Sequence, residues 1–182
     1  MDRLLNELDV LKDVCMKLEK SGLGYMVTGS LALNYYARPR MTRDIDIVVE
    51  LKKEEIKRFV EAFSPEYYVS LEAIDDAVSN ERMFNIIHNS SIIKVDFIVR
   101  QRGEFRLAEF QRRKKVRVDD FDVFLVSKED LIISKLIWSK DTGSGLQAED
   151  IKNLLITGFD RAYLEEWAKK LGLRELIQEY LK

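Results

Sequence analysis

The chain has 182 residues, of which 46% are hydrophobic and 34% charged, with 8 Gly, 2 Pro, one Cys and one His. This supplies a sizeable core and excludes a disordered or fibrous chain, an intrachain disulfide, a Cys-rich zinc site and a multi-histidine metal site. Net charge is −2, no apolar run approaches the ~18 residues a membrane helix needs, and the start MDRLLNELDV mixes charge with its leucines, so a soluble cytoplasmic protein without a secretory signal is expected.

Taken in chain order, Leu4, Leu8, Leu11, Cys15 and Leu18 mark one face of an amphipathic helix that Ser21-Gly22 and Gly24 terminate. Tyr25–Thr28 reads as a short buried strand ending in Gly29-Ser30, followed by a helix from Leu31 to Ala37 that stops before Pro39. Asp44–Val49 alternates as a strand, and Lys52–Phe63 is helical. Tyr67–Val69 is a short strand, and the polar stretch from Ala73 to Asn80 a weak helix or a loop. Met83–His88 and Ile92–Val99 form a hairpin around Asn89-Ser90-Ser91, with His88 a surface group at its tip. A helix over Arg102–Arg113 precedes strands at Val116–Val118 and Val123–Val126. Ser127-Lys128-Glu129-Asp130 is a capping box that opens a helix through Trp138. Asp141–Gly145 is linker-like, and three helices follow, near 147–156, 161–171 and 175–181. The fold class is therefore α+β. Residues 1–126 form a mixed sheet with flanking helices, and residues 127–182 a helical region packed on it.

The chemistry concentrates in TGSLALNYYARPRMTRDIDIVVE, Thr28–Glu50. Residues two apart in a strand face the same way, so Asp44 and Asp46 share one side. Paired carboxylates repel unless a cation neutralises them, and oxygen-only ligation suits Mg²⁺ or Mn²⁺. Gly29 leaves room for a phosphate near the backbone, and Ser30 offers a hydroxyl beside helix N-terminal amides. A third acid, Asp96, lies mid-strand in IIKVDFIV opposite the apolar face of Val95, Phe97 and Val99; it is either a metal ligand or an ion-pair partner of Lys94 or an arginine. Arg38 and Arg40 flank Pro39 as phosphate contacts or solvated loop residues. The second Asp-x-Asp, Asp120-Phe121-Asp122, reads as a polar turn, and Trp138 and Trp167 as packing anchors rather than base-stacking platforms.

Gly-Ser, a spacer, Asp-x-Asp and a later Asp-bearing strand together resemble the nucleotidyltransferases with the DNA polymerase β-like fold. The phrase Arg40-Met41-Thr42-Arg43-Asp44-Ile45-Asp46 is similar to the Arg-x-Thr-x-Asp-Ile-Asp of a small bacterial and archaeal group related to AbiEii-type toxins. The resemblance covers residues 1–135 and reaches the helical tail only loosely. It implies transfer of a nucleoside monophosphate from an NTP to a hydroxyl acceptor, with release of pyrophosphate. Asp44 and Asp46 would bind two divalent ions, and Asp96 the one that activates the acceptor, receiving its proton. Gly29 and Ser30 would hold the β- and γ-phosphates, with Arg40 and Thr42 as further contacts. Asp130 and Lys135 reproduce an Asp-x4-Lys spacing in which the lysine serves the nucleotide, although Asp130 already explains itself as a cap. Asp150-Ile151 matches only the second acid of that group's final element, Leu146 and Gln147 standing where the first would be.

The implied acceptor is an RNA end such as tRNA, a protein hydroxyl or a small molecule such as an aminoglycoside, and an antitoxin is an implied partner. A catalytically silent nucleotide-binding or interaction module is the rival reading. Between Arg100 and Arg117 eight Lys/Arg face two Glu, which reads either as a polyanion-attracting surface or as solvated charge on a helix and an edge strand.

Overall fold

The computed structural model describes residues 6–142 and 145–181. Helix α1 (Glu7–Lys20) opens on a reciprocal cap, in which Asn6 Oδ1 accepts from Asp9 N and Asp9 Oδ2 from Asn6 N, each at 3.0 Å. Its buried stripe is Val10, Leu11, Val14, Cys15 and Leu18, with Leu8 at the exposed margin. Burial pushes the Cys15 thiol up to about 12, which removes it from reactive chemistry. Strand β1 (Tyr25–Val27), helix α2 (Gly29–Tyr36) and strand β2 (Ile45–Val49) follow. Asp44 therefore stands just ahead of β2 rather than in it.

A 3₁₀ turn (Lys53–Glu55) leads into α3 (Ile56–Phe63), then β3 (Tyr67–Tyr68) and α4 (Leu71–Asn80). The weak stretch is thus a regular helix: Ser70 Oγ caps Ala73 N at 3.3 Å, and Ile74 and Ala77 bury one face. Strands β4 (Met83–His88) and β5 (Lys94–Val99) form the expected hairpin. His88, however, is buried against Tyr67 at 5.1 Å between ring centroids, with Nδ1 on Ser91 Oγ at 2.9 Å, so it is a core residue rather than a surface one. Helix α5 (Glu104–Gln111) precedes the hairpin of β6 (Lys114–Val118) and β7 (Phe121–Leu125), with Asp119 and Asp120 at its turn.

Helices α6 (Lys128–Thr142), α7 (Gly145–Leu155), α8 (Arg161–Lys170) and α9 (Arg174–Tyr180) complete the described chain. The expected linker is occupied on both sides by α6 and α7, and residues 143 and 144 lie outside the described residues. Ser127 Oγ accepts from Asp130 N at 3.3 Å, as the capping box requires. The Asp130 carboxylate is spent on structure: Ser127 Oγ, Tyr163 Oη and Arg112 Nε all donate to it. Among the described residues no helix is long and apolar enough to cross a membrane.

Among the described residues, seven strands form one mixed sheet in the order β3-β4-β5-β2-β1-β7-β6. β2 pairs antiparallel with β1 and parallel with β5, and Asp46 is the register partner of Asp96. On the opposite face Ile45, Ile47, Val95 and Phe97 are fully buried. Phe97 packs against Phe59, Phe63 and Phe84 at 5.2–5.9 Å between ring centroids, so alternation forces the two carboxylates onto the other face. Phe97→Ala should remove about 3–5 kcal/mol of stability, read from the denaturation midpoint, because this cluster has little freedom to collapse; a loss below about 1 kcal/mol would show that it does not fix the register.

Candidate active site

β1 ends at Val27, and Thr28 N donates to Asp46 O at 2.9 Å, which binds the strand end to the strand that carries the acid. The chain then turns at Gly29, whose φ of +63° favours glycine, and enters α2. A Cβ built on Gly29 would overlap Asp46 Oδ2. Glycine is needed there to seat the Asp46 carboxylate against the backbone, so the room expected for a phosphate is taken by the acid.

Asp46 is half-buried, Asp96 is 6% exposed and Asp44 is exposed. Burial, then the charges of Asp96 and Asp44, push the Asp46 carboxyl up to about 6, while Lys135 and Lys94 pull it back. Lys94 Nζ lies 2.7 Å from Asp96 Oδ2, so the ion-pair reading of Asp96 is realised; its other oxygen, Oδ1, is buried with no hydrogen-bond partner. The ion-pair expectation for Asp96 is thus met at Oδ2, while Oδ1 is left without a partner. An orphaned buried carboxylate oxygen beside a second, destabilised carboxylate is a donor set that fits a hard divalent cation. Among the described residues no three His, Cys, Asp or Glu side chains already stand together as a ligand set.

Around Ser30 a second cluster has formed. Ser30 Oγ accepts from Arg40 Nη2 at 2.7 Å. Arg40 also forks onto Asp150, Nε to Oδ1 at 3.0 Å and Nη2 to Oδ2 at 3.2 Å, and its backbone is held both ways by the Asn34 amide at 2.9 Å. Lys135, 5% exposed, donates to Asp150 Oδ2 at 2.7 Å and to Gln147 Oε1 at 3.1 Å. Burial would raise the Asp150 carboxyl, but hydrogen bonds from Arg40 and Lys135, reinforced by their charges, hold it below the ordinary range. Ser30, Arg40 and Lys135 are thus brought together. Thr42 stands apart from them: its Oγ1 accepts from Asp44 N at 3.2 Å and so sets the backbone of the first acid. Arg38 has an exposed side chain, and its carbonyl accepts from Asn153 at 3.0 Å.

A cleft of about 370 Å³ runs from Thr28, Gly29 and Asp46 along the sheet face over Val48 and Ile98, under Leu131, Lys135, Ile137 and Trp138 of α6. Its far end is polar, with Arg106 donating to Glu109 at 2.9 Å and to Ser134 at 2.7 Å. Trp138 is exposed and lines this cleft, which departs from the packing-anchor reading, whereas Trp167 is buried against Phe105 as expected. The basic stretch is largely matched by acids: Arg100 with Glu50, Arg102 with Glu81, Arg106 with Glu109, Arg112 with Asp130, and Lys115 and Arg117 with Asp122. Arg113 stacks on Phe110 at 4.1 Å. The solvated-charge reading is thus the one these ion pairs express.

Residues 3–171 match the family described as "Nucleotidyltransferase of unknown function (DUF6036)", and the chain belongs to it. It is accordingly a nucleotidyltransferase. Its fold is similar to that of an antigenic nucleotidyltransferase-like protein from Paracoccidioides brasiliensis, with a TM-score of 0.52 at 18% identity over 82% of this chain and 74% of that one. It is also similar to the antibiotic-resistance factor ANT(2'')-Ia, with a TM-score of 0.61 at 11% identity over 96% and 95% of the two chains. The lincosamide antibiotic adenylyltransferase LnuA has a TM-score of 0.52 at 15% identity over 81% and 94%. No curated protein matches the sequence.

The raised Asp46 carboxyl has a consequence for stability. The native protein holds this proton more tightly than the unfolded chain does, so the associated stabilisation is present at low pH and fades as pH rises through about 6. Asp46→Asn should therefore stabilise the protein in EDTA at about pH 8, by about 2 kcal/mol. That advantage should vanish near pH 4, as measured by urea denaturation. Equal loss of stability at both pH values would contradict the strained-carboxylate assignment.

Proposed function

We propose that the protein transfers a nucleoside monophosphate from an NTP to an acceptor hydroxyl, releasing pyrophosphate, in a reaction that requires a divalent cation. The observation that carries this reading is the register pairing of Asp46 with Asp96 beside Gly29, with one Asp96 oxygen buried and unpartnered. Asp46 and Asp96, with Asp44 at the head of β2, are the residues that would hold Mg²⁺ or Mn²⁺, expected as two ions. When bound, such ions supply charge neutralisation on the triphosphate and acidify the acceptor hydroxyl.

The chain's own groups do the rest. The N-terminal amides of α2 and the Ser30 hydroxyl receive the terminal phosphates, and Arg40 and Lys135 counter the charge that builds on the departing pyrophosphate. Thr42 orients Asp44 through its backbone amide. The Asp96 carboxylate receives the acceptor hydroxyl's proton. The cleft under α6 excludes water from one side of the site and gives the remainder of the nucleotide or the acceptor an apolar wall. The fold neighbours that adenylylate antibiotics make a small-molecule hydroxyl a reasonable first acceptor class to assay.

The test uses each α-labelled NTP with Mg²⁺ or Mn²⁺, following pyrophosphate release and label transfer to the protein or to added acceptors. Wild-type protein should turn over at least one NTP, and Asp46→Asn and Asp96→Asn should each cut turnover by about a hundredfold or more while remaining folded. Undiminished turnover in either folded variant would remove the site assignment. The Arg40–Asp46 phrase favours a narrower second reading, a growth-arresting toxin held by an antitoxin. Expression of wild type but not of Asp46→Asn should then arrest growth, and healthy overexpression of wild type would exclude it.

A further inference from the structure

Asp150 comes from α7, in the helical segment that follows the sheet, yet it is 2% exposed and hydrogen-bonded both to Arg40, which donates to Ser30, and to Lys135. We infer that Asp150 is a positioning residue for the triphosphate site, and that Gln147, one turn earlier on the same helix, sets the net charge of that site. The inference rests on the nucleotidyltransferase reading above and extends it to residues that touch neither phosphate nor metal.

Geometry comes first. Arg40 lies on the irregular segment between α2 and β2, where an unanchored guanidinium would sample many rotamers. Three contacts remove that freedom: the Asn34 amide grips its backbone, the Asp150 carboxylate takes its fork bidentately, and the remaining reach of Nη2 falls on Ser30 Oγ. Lys135 approaches the same carboxylate from α6, and Asp150 thereby fixes the spacing between two cations that belong to different elements.

Charge comes second. One carboxylate against a guanidinium and an ammonium leaves the cluster one positive charge in excess. Gln147 supplies Lys135 with an amide oxygen at 3.1 Å rather than a second carboxylate, so the excess survives. With Asp150 and Lys135 buried and Arg40 30% exposed, this excess charge, shared only with the nearby Asp46, is met by an incoming polyphosphate at Ser30. Asp150→Asn would release Arg40 to solvent and leave Lys135 buried without a full counter-charge. Gln147→Glu would keep every cation in place and cancel the excess charge.

The experiment measures calorimetric binding of Mg²⁺–tripolyphosphate, a probe that needs neither the correct base nor the acceptor. Wild type should bind it. Asp150→Asn should weaken that binding about tenfold or more despite the positive charge it adds, yet cost less than about threefold in an Arg40→Ala, Lys135→Ala background, because the acid acts through both cations. Gln147→Glu, which gains an ion pair and so keeps its melting temperature, should also weaken binding about tenfold and flatten its salt dependence. If Asp150→Asn does not fold, Gln147→Glu carries the test alone. Wild-type affinity in a folded Asp150→Asn or in Gln147→Glu would overturn the inference and leave the nucleotidyltransferase reading intact. A wild-type protein that binds no tripolyphosphate would overturn the phosphate-site assignment and this inference with it.

Discussion

Parallel pairing of β2 with β5 is the constraint on which the site depends. In that register Asp46 lies beside Asp96, two acids on adjacent strands of a sheet whose reverse face is fully buried. A slip of β5 by one residue would turn Phe97 outward and Asp96 into the aromatic cluster, so core packing on one face enforces carboxylate proximity on the other. The cost is visible in the Asp46 carboxyl, pushed up to about 6, and in the unpartnered oxygen of Asp96. The protein tolerates this local conflict because the surrounding sheet over-determines it, a common arrangement at sites that await a ligand.

Counter-charges are distributed so that the conflict is moderated without being cancelled. Lys94 takes one oxygen of Asp96, and the Arg40–Lys135–Asp150 cluster sits a short turn away at Ser30. The two clusters join at Gly29, where the absence of a side chain lets Asp46 press against the backbone that leads into α2. The helices after β7 therefore reach the candidate site as well as cover it: α6 brings Lys135 and a cleft wall, and α7 brings the acid that pairs with Arg40 and Lys135.

Much of this was legible in the sequence, for identifiable reasons. Alternation in VDFIV and DIDIVV located both acid-bearing strands, and the Gly-Ser at the end of β1 located the turn. Asp130 was legible as a cap because Ser127 lies three residues before it. Long-range partners were not legible: Asp150 and Arg40 are 110 residues apart, and nothing in either neighbourhood names the other. The lone resemblance of Asp150-Ile151 to a final acidic element was a signal, but it carried no geometry. The two readings of the basic stretch could not be separated in the same way, because apart from Glu109 the acids that match it, such as Glu50, Glu81 and Asp130, lie outside its own span. His88 looked like a loop-tip residue because local sequence cannot show that β3 brings Tyr67 over its ring.

The central claim is that Asp46 and Asp96 form a divalent-cation site at the mouth of α2. Anomalous diffraction from crystals grown with Mn²⁺ and a non-hydrolysable NTP tests it most directly. The account predicts manganese density bridging Asp46 and Asp96, with Lys94 displaced from Asp96 and the terminal phosphates at Ser30. Manganese bound elsewhere, with the Lys94–Asp96 pair intact and the NTP phosphates distant from Ser30, would contradict it.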